Sequence, residues 1–369
     1  MRQTSNTLVI GDVHFGVKSN SITWLNSQLQ FFRKQVFQLV KDKSSEMNID
    51  TIVFLGDVFD VRNSVNMVVG MEVKKLFREM NELGSLYNIN IYIIAGNHDF
   101  YSPLEEHKDY NVYNVLFGPE FLNENKYIHI IYNKPEIVTK SDGTNILLLP
   151  WYETENRDKL IQTLNTICRR DKIHAVYCHY DLENGAYPDA EIRKIIHTLG
   201  IPFYSGHIHY IWCEPRYKMY NLGACCSFTF SDVNQDRFFY IINEQEGSIH
   251  KIKNVTTPRF YVIYDEEIFK EENNEELFTN SFVELCISSE NRDKLKYTDQ
   301  IKLLKSKYIN TNIRVRIFDK DDVNFNVSTT ENTGFGYQTQ SSIAKYIYDN
   351  IPDYLIDNYN KIQSDLHTT

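Results

Sequence analysis

The chain has 369 residues, more than one typical domain, and with 42% hydrophobic and 24% charged residues it can bury a large core and is expected to fold. Its net charge of −10 at pH 7 argues against a surface that grips nucleic acid throughout, so any basic contact with DNA must be local. No apolar run reaches membrane-span length, the polar start from Met1 to Thr7 does not read as a signal peptide, and the six cysteines form no CxxC pair, so a cytoplasmic protein with reduced thiols and no membrane contact is expected.

Thr7 to Ile10 is a short apolar run ending at Gly11, and Trp24 to Lys43 then sets Leu25, Leu29, Phe32, Val36 and Leu39 on one face at helical spacing. The order recurs. Asp50 to Leu55 reads as a strand, Val69, Val73, Leu76, Phe77 and Met80 mark an amphipathic helix, and Asn90 to Ala95 is another β-branched run. Ile146 to Leu149, Ala175 to Cys178 and Pro202 to Tyr204 are expected strands, with helices over 155–170 and 189–199 between them. This alternation predicts an α/β architecture with a buried sheet. From Met219 to Asn254 the texture changes to strands and turns, with Arg237 to Asn243, Glu246-Gly247 and Ser248 to Lys253 predicting a second, antiparallel-edged sheet. After Pro258 a small α+β unit is expected, with strands near Phe260 to Tyr264, Phe282 to Ser288 and Ile313 to Phe318 and a Lys-rich helix from Asp299 to Lys307. Residues 319–340, polar and rich in Asn and Thr, read as a flexible linker. Ile343, Ile347 and Ile351 before Pro352, with Leu355, Ile356, Tyr359, Ile362 and Leu366 after it, predict two short amphipathic helices. Such a pair must dock on its own chain or on a partner.

Nearly every expected strand of the first domain ends in a polar cluster: Asp12-Val13-His14, Asp57-Val58-Phe59-Asp60, Asn97-His98-Asp99, His179, and His207-Ile208-His209. Carboxyl ends of strands in an open α/β sheet converge on one rim, which would gather these residues in one crevice. Taken singly, a DxH or GD pair reads as a turn or a helix cap. Five clusters in this order, each after a strand, do not. Asp, His and Asn without Cys favour manganese, iron or a similar divalent ion. By analogy with two-metal sites, one ion takes Asp12, His14 and His209, the other takes Asn97, His179 and His207, and Asp57 bridges them. Two ions roughly 3.5–4 Å apart can bind both the attacking and the leaving oxygen of a phosphoester. His98 would protonate the leaving group or stabilise charge on the phosphoryl oxygens, with Asp99 orienting it. His107, His129, His174, His197, His250 and His367 have no such setting and read as structural or surface residues.

These motifs resemble the calcineurin-like metallophosphoesterases. Within that superfamily Asp12 to Gly16, the stretch Asp57 to Asp60 with the long helix after it, and Leu149-Pro150-Trp151 are most similar to the SbcD-type nuclease subunits of double-strand-break repair complexes, those of T-even bacteriophages above all. The likeness extends, more faintly, through Val255 to Pro258 and the small domain to the tail around Tyr346 to Asp353. It implies a four-layer αββα sandwich with a nuclease domain at 1–257, a small α+β DNA-capping domain at 258–318, the linker 319–340 and a helical tail at 341–369. It also implies a homodimeric, manganese-dependent nuclease, an exonuclease on double-stranded ends and an endonuclease on single strands, whose tail binds an SbcC-like coiled-coil ATPase. One departure stands out: where archaeal and eukaryotic relatives carry a histidine three positions after the bridging Asp, this chain has Asp60, which could accept from a ligand histidine. The alternatives are a phosphatase or small-molecule phosphodiesterase on the same scaffold, and a catalytically weak scaffold subunit of an ATPase complex. The first is disfavoured in its protein-phosphatase form because Gly56 to Arg62 does not read GDxVDRG, and the second because Asn97 and His98 are both in place. The Lys294, Lys296, Lys302, Lys305 and Lys307 stretch is either a DNA contact or a solvated face.

Overall fold

A computed structural model of the chain describes residues 4–318 except 44–45, 61, 63, 152–155, 183–189, 234, 270–277, 279–280 and 309–311. The expected linker 319–340 and tail 341–369 lie outside the described residues.

Fifteen strands fall into three sheets among the described residues. In the first, β1 (Asn6–Ile10), β2 (Ile49–Phe54), β3 (Asn90–Ile94) and β4 (Ile128–Ile131) run parallel in that order. The second is built on β6 (Asn145–Leu149), β7 (Ala175–Cys178), β8 (Phe203–Ser205) and β10 (Met219–Asn221), also parallel. It is edged antiparallel by β5 (Glu136–Thr139) on β6 and β9 (Trp212–Glu214) on β10. The hairpin expected to form a second sheet does something else: β11 (Phe238–Asn243) adds antiparallel to the free edge of β1, with β12 (Ser248–Lys253) outside it, so it widens the first sheet. Alternation identifies a hairpin but does not say which open edge it will close.

The two large sheets pack face to face through Val9, Val53, Leu55 and Ile94 on one side and Ile146, Leu148, Tyr177 and Tyr204 on the other. Helices cover both outer faces. On the first sheet Ile22–Phe31 and Phe37–Lys43 are joined by a π-turn, Phe32–Val36, which brings the consecutive pairs Phe31-Phe32 and Val36-Phe37 onto the core face. Beside them Met67–Tyr87 starts at Asn66, whose side chain accepts from the amides of Val68 and Val69. It buries Val69, Val73, Leu76, Phe77 and Met80, each large apolar side chain among them contributing roughly 1.5–3 kcal/mol. Helices Arg157–Arg170 and Ala190–Leu199 cover the second sheet through Leu160, Leu164, Ile192 and Ile196. The result is the four-layer αββα order.

The third sheet, β13 (Arg259–Tyr264), β14 (Ser281–Ser288) and β15 (Asn312–Phe318), is wholly parallel and has its own core of Ile263, Leu285, Ile287, Tyr297 and Leu304. Its helix, Leu295–Lys307, begins earlier than the lysine pattern indicates because Tyr297 is fully buried under it. Trp24 joins this unit to the first, its ring centroid 4.2 Å from that of Phe282. All six cysteines are free thiols, and among the described residues no helix is long and apolar enough to cross a membrane.

Candidate metal centre

Because β1, β2 and β3 are parallel, as are β7 and β8, the loops after them meet at one rim. Asp12 and His14 follow β1, Asp57 follows β2, Asn97 and His98 lie in the 3₁₀ turn Asn97–Asp99 after β3, His179 follows β7, and His207 and His209 follow β8. His14, Asp57 and His207 have φ of 52°, 45° and 81°. Left-handed backbone at such residues costs about 1–3 kcal/mol each and persists only where the surroundings enforce it. Here they do. The amides of Val13 and His14 donate to the Asp57 carbonyl at 3.2 and 2.9 Å, and the His207 amide donates to both Asp12 carboxylate oxygens at 3.2 and 3.0 Å. A Cβ at Gly56 would overlap the His179 ring, and one at Gly206 would overlap the Asp12 carboxylate, so both glycines are needed for the ligands to approach.

All seven candidate ligands come together. His14 Nε2 lies 3.0 Å from His209 Nε2 and 3.7 Å from Asp57 Oδ2, and His209 Nε2 lies 3.9 Å from Asp12 Oδ2. On the other side of Asp57, His179 Nε2 is 3.4 Å from Asp57 Oδ2, while Asn97 Oδ1 is 2.9 Å from His179 Nε2 and 3.0 Å from His207 Nδ1. Asp12, His14 and His209 converge within 4.8 Å of one another, as do Asp57, His179 and His207; a third such group is His14, Asp57 and His98. Carboxylate, carboxamide and imidazole atoms thus share one space. That donor set suits divalent cations, so the residues fit a two-metal group with Asp57 between its halves.

The electrostatics point the same way. Burial raises the Asp12 carboxyl to about 6, with His179 and His14 opposing it. Burial acts likewise on Asp57, yet the imidazoles of His179, His14 and His98 outweigh it and hold this carboxyl well below its ordinary value. Burial disfavours charge on His179, but Asp57 and Asp12 raise it to about 9, and His14 is raised against burial by Asp60, Asp57 and Asp12. Burial lowers His207 and His209 to about 4, helped by His179 in the first case and His14 in the second. The two carboxylates draw positive charge into the cluster, the same attraction that a cation answers.

The three remaining candidates divide. His98 donates its amide to Asp57 Oδ1 at 2.8 Å, and its Nδ1 lies 2.7 Å from the Asp60 carbonyl oxygen, so Nδ1 carries a proton and Nε2 is the atom left for other partners. The Asp60 carboxylate is 3.3 Å from His14 Nδ1. Asp99 does not touch the His98 ring. Its carboxylate accepts from the amides of Phe59 and Gly96 and from the Tyr113 hydroxyl at 2.9–3.0 Å, and burial, with Asp57 nearby, raises it to about 7. The orientation expected from Asp99 comes instead from the Asp60 carbonyl, because a carboxylate aimed at three local donors cannot also reach the ring.

Several supports had no motif to reveal them. Gln28 donates to the carbonyls of Val13 and His14, and Asn221 to those of Ile208 and Tyr210. The buried Arg237 donates to the His209 carbonyl and pairs with Asp232 at 2.5 Å, while Asp232 accepts from the Phe228 amide, and the Phe228 ring packs edge-on against His14 and His209. These contacts join residues far apart in sequence, so only the fold discloses them.

Residues 5–210 match the family model described as calcineurin-like phosphoesterase. The chain belongs to the calcineurin-like phosphoesterases. As a member it is a metal-dependent hydrolase, and the ligand cluster described above is where its divalent ions would sit. Among curated relatives it is similar to the DNA double-strand break repair protein Mre11 of Saccharolobus solfataricus, 24% identical over 209 residues that make up 56% of this chain and 49% of the relative. The chain therefore spans about half the length of the curated relative it matches. A solved structure resembles it over 68% of this chain and 100% of its own, with 13% identity and a TM-score of 0.41.

Proposed function

We propose that this phosphoesterase is the nuclease subunit of an SbcCD-like recombination and repair complex, a manganese-dependent DNA hydrolase that attacks double-stranded ends as an exonuclease and single strands as an endonuclease. The observation that carries the hydrolytic part is the Asp57-centred cluster, in which seven cation-seeking side chains from five strand ends face one space. The likeness to a double-strand break repair protein supports DNA as the substrate. When bound, the two ions would supply Lewis acidity toward a phosphoryl oxygen and lower the pKa of water. Asp12, His14 and His209 would hold one and Asn97, His179 and His207 the other. His98, fixed through Nδ1 by the Asp60 carbonyl, presents Nε2 to the leaving oxygen as a proton donor, and Asp60 orients His14 through its Nδ1.

Self-association is part of this reading. Met67 (82% exposed), Met71 (73%) and Val115 (77%) leave apolar surface at the start of helix Met67–Tyr87 and on the adjoining segment Val112–Leu116, which meet where Gly70 abuts Leu116. A second copy would cover this surface, and Met71→Glu should shift a dimer to monomer in sedimentation. The SbcC-like ATPase contact is assigned to residues 341–369, tested by co-purification with and without them.

The deciding assay supplies Mn²⁺ and compares linear duplex DNA, single-stranded DNA, p-nitrophenyl phosphate and a cyclic nucleotide. Preferential cleavage of DNA supports the proposal. Turnover of the monoester or cyclic nucleotide alone would replace it with the phosphatase or small-molecule reading, and no turnover without an added ATPase would favour the scaffold.

A further inference from the structure

The Asn97 carboxamide stands between the ligand cluster and Arg62. One of its terminal atoms is 2.9 Å from His179 Nε2, 3.0 Å from His207 Nδ1 and 3.2 Å from Asp57 Oδ2, and the other is 2.7 Å from Nη2 of Arg62. Arg62 is exposed, lies on the loop that carries Asp57, and makes no other hydrogen bond or ion pair among the described residues. A carboxamide has one accepting end and one donating end, so it can suit only one of these neighbourhoods at a time. With its nitrogen toward the cluster its two N–H bonds face Asp57 Oδ2, His207 Nδ1 and His179 Nε2, and its oxygen accepts from Arg62. With its oxygen toward the cluster, as ligation of a cation demands, its NH₂ meets the Arg62 N–H group donor against donor. In the orientation that ligation demands, Asn97 offers the Arg62 guanidinium no acceptor, and among the described residues no carboxylate pairs with it.

A guanidinium is a rigid fork of donors matched to phosphate oxygens, and in a chain of net charge −10 a cation placed here is what a polyanionic substrate would find. We propose that Arg62 is a phosphate-binding residue of this site, gripping the substrate strand beside the metal pair while the Asn97 oxygen faces inward. The proposal rests on the phosphodiester reading above and names a residue outside the ligand set.

The test uses the full chain with Mn²⁺ and two probes, a phosphorothioate-linked, fluorescein-labelled single strand and inorganic phosphate. Anisotropy gives strand affinity across a series of NaCl concentrations, calorimetry gives phosphate affinity, and atomic emission gives Mn²⁺ content on the same samples. Arg62→Ala should weaken strand binding by about tenfold and reduce the salt slope by about 1, with Mn²⁺ content as in the wild type. Arg62→Lys should restore the slope but not all of the affinity, since it keeps the charge and loses the fork. Unchanged affinity and slope at full Mn²⁺ content would overturn the proposal. So would a loss that tracks Mn²⁺ content and is reversed by excess metal, because Arg62 would then act only by supporting Asn97. If the wild type ignores the strand but binds phosphate, and Arg62→Ala weakens that, the nuclease reading falls while the role of Arg62 stands.

Discussion

Lys140 and Asp57 are both buried charged residues of the same two-sheet sandwich, and they sit in opposite kinds of surroundings. At the amino-terminal end of β1, Lys140 Nζ reaches Glu244 Oε2 at 2.7 Å and the Ser5 carbonyl at 3.1 Å, and Glu244 Oε1 accepts from the hydroxyls of Tyr177 and Thr7. Donors meet acceptors, and the network ties the two sheets together. At the carboxyl end, Asp57, Asp12, Asn97 and four imidazoles converge on partly left-handed backbone. The first cluster is complete with protein atoms, whereas the second has the side chains that divalent ions would draw on. A buried cluster of cation-seeking side chains suits a ligand site, and one whose donors meet acceptors one for one makes a joint.

The strongest way to break this contrast is to remove the centre of the cation-seeking cluster. Asp57→Ala should lose bound Mn²⁺ and cut hydrolysis by about 10³-fold or more, and the EDTA-treated protein should lose stability as well, because the imidazoles of His179 and His14 lose the carboxylate that faces them. An active variant that keeps its Mn²⁺ would show that Asp57 is not the centre of a ligand site. His98→Ala should cost about 10²–10⁴-fold in rate with full Mn²⁺ content; loss of the metal instead would make His98 a ligand, as its place beside His14 and Asp57 allows. The paired cluster should respond in reverse. Lys140→Met leaves Glu244 buried and uncompensated and should lower unfolding free energy by about 3–5 kcal/mol in urea titration, with turnover per folded molecule unchanged. A weaker effect is expected from Asp60→Asn, about 10–100-fold in Mn²⁺ affinity, because it only orients His14.

The two clusters also differ in how far the sequence discloses them. Four of the seven candidate ligands are marked in the sequence because each follows an apolar run and stands beside glycine, in motifs short enough to see: Gly11-Asp12, Gly56-Asp57, Gly96-Asn97, Gly206-His207. Parallel strands then bring them to one rim without further information. Lys140, Glu244, Tyr177 and Thr7 carry no local mark, since their meeting depends on β11 closing the edge of β1, a choice that the alternation of Arg237 to Asn243 leaves open. The same holds for Arg237 under His209 and Arg62 behind Asn97. The role given to Asp99 failed for a related reason: adjacency in sequence to His98 did not disclose that Phe59, Gly96 and Tyr113 would claim its carboxylate.

The smallest effect is a pH dependence confined to the cation-seeking cluster. Asp57 and Asp12 raise His179 from its ordinary 6.5 to about 9, so the metal-free folded state holds a proton there that the unfolded chain releases at lower pH. Its contribution to stability is fully present below pH 6.5 and fades as pH climbs through 9. Cations compete for the same lone pair, so loading expels this proton, and affinity should rise over that window by about tenfold per pH unit for each proton released. His207 and His209, lowered to about 4, are already neutral there and release none. Calorimetry of Mn²⁺ binding in buffers of different ionisation enthalpy counts the protons, and melts with and without EDTA from pH 6.5 to 9 should diverge, the metal-free protein losing stability as the loaded one holds it. Lys140→Met should leave that divergence unchanged, because its network lies at the other end of β1. A flat affinity with no proton release would mean that cations do not enter between His179 and Asp57, and the division between joint and ligand site would have to be drawn elsewhere.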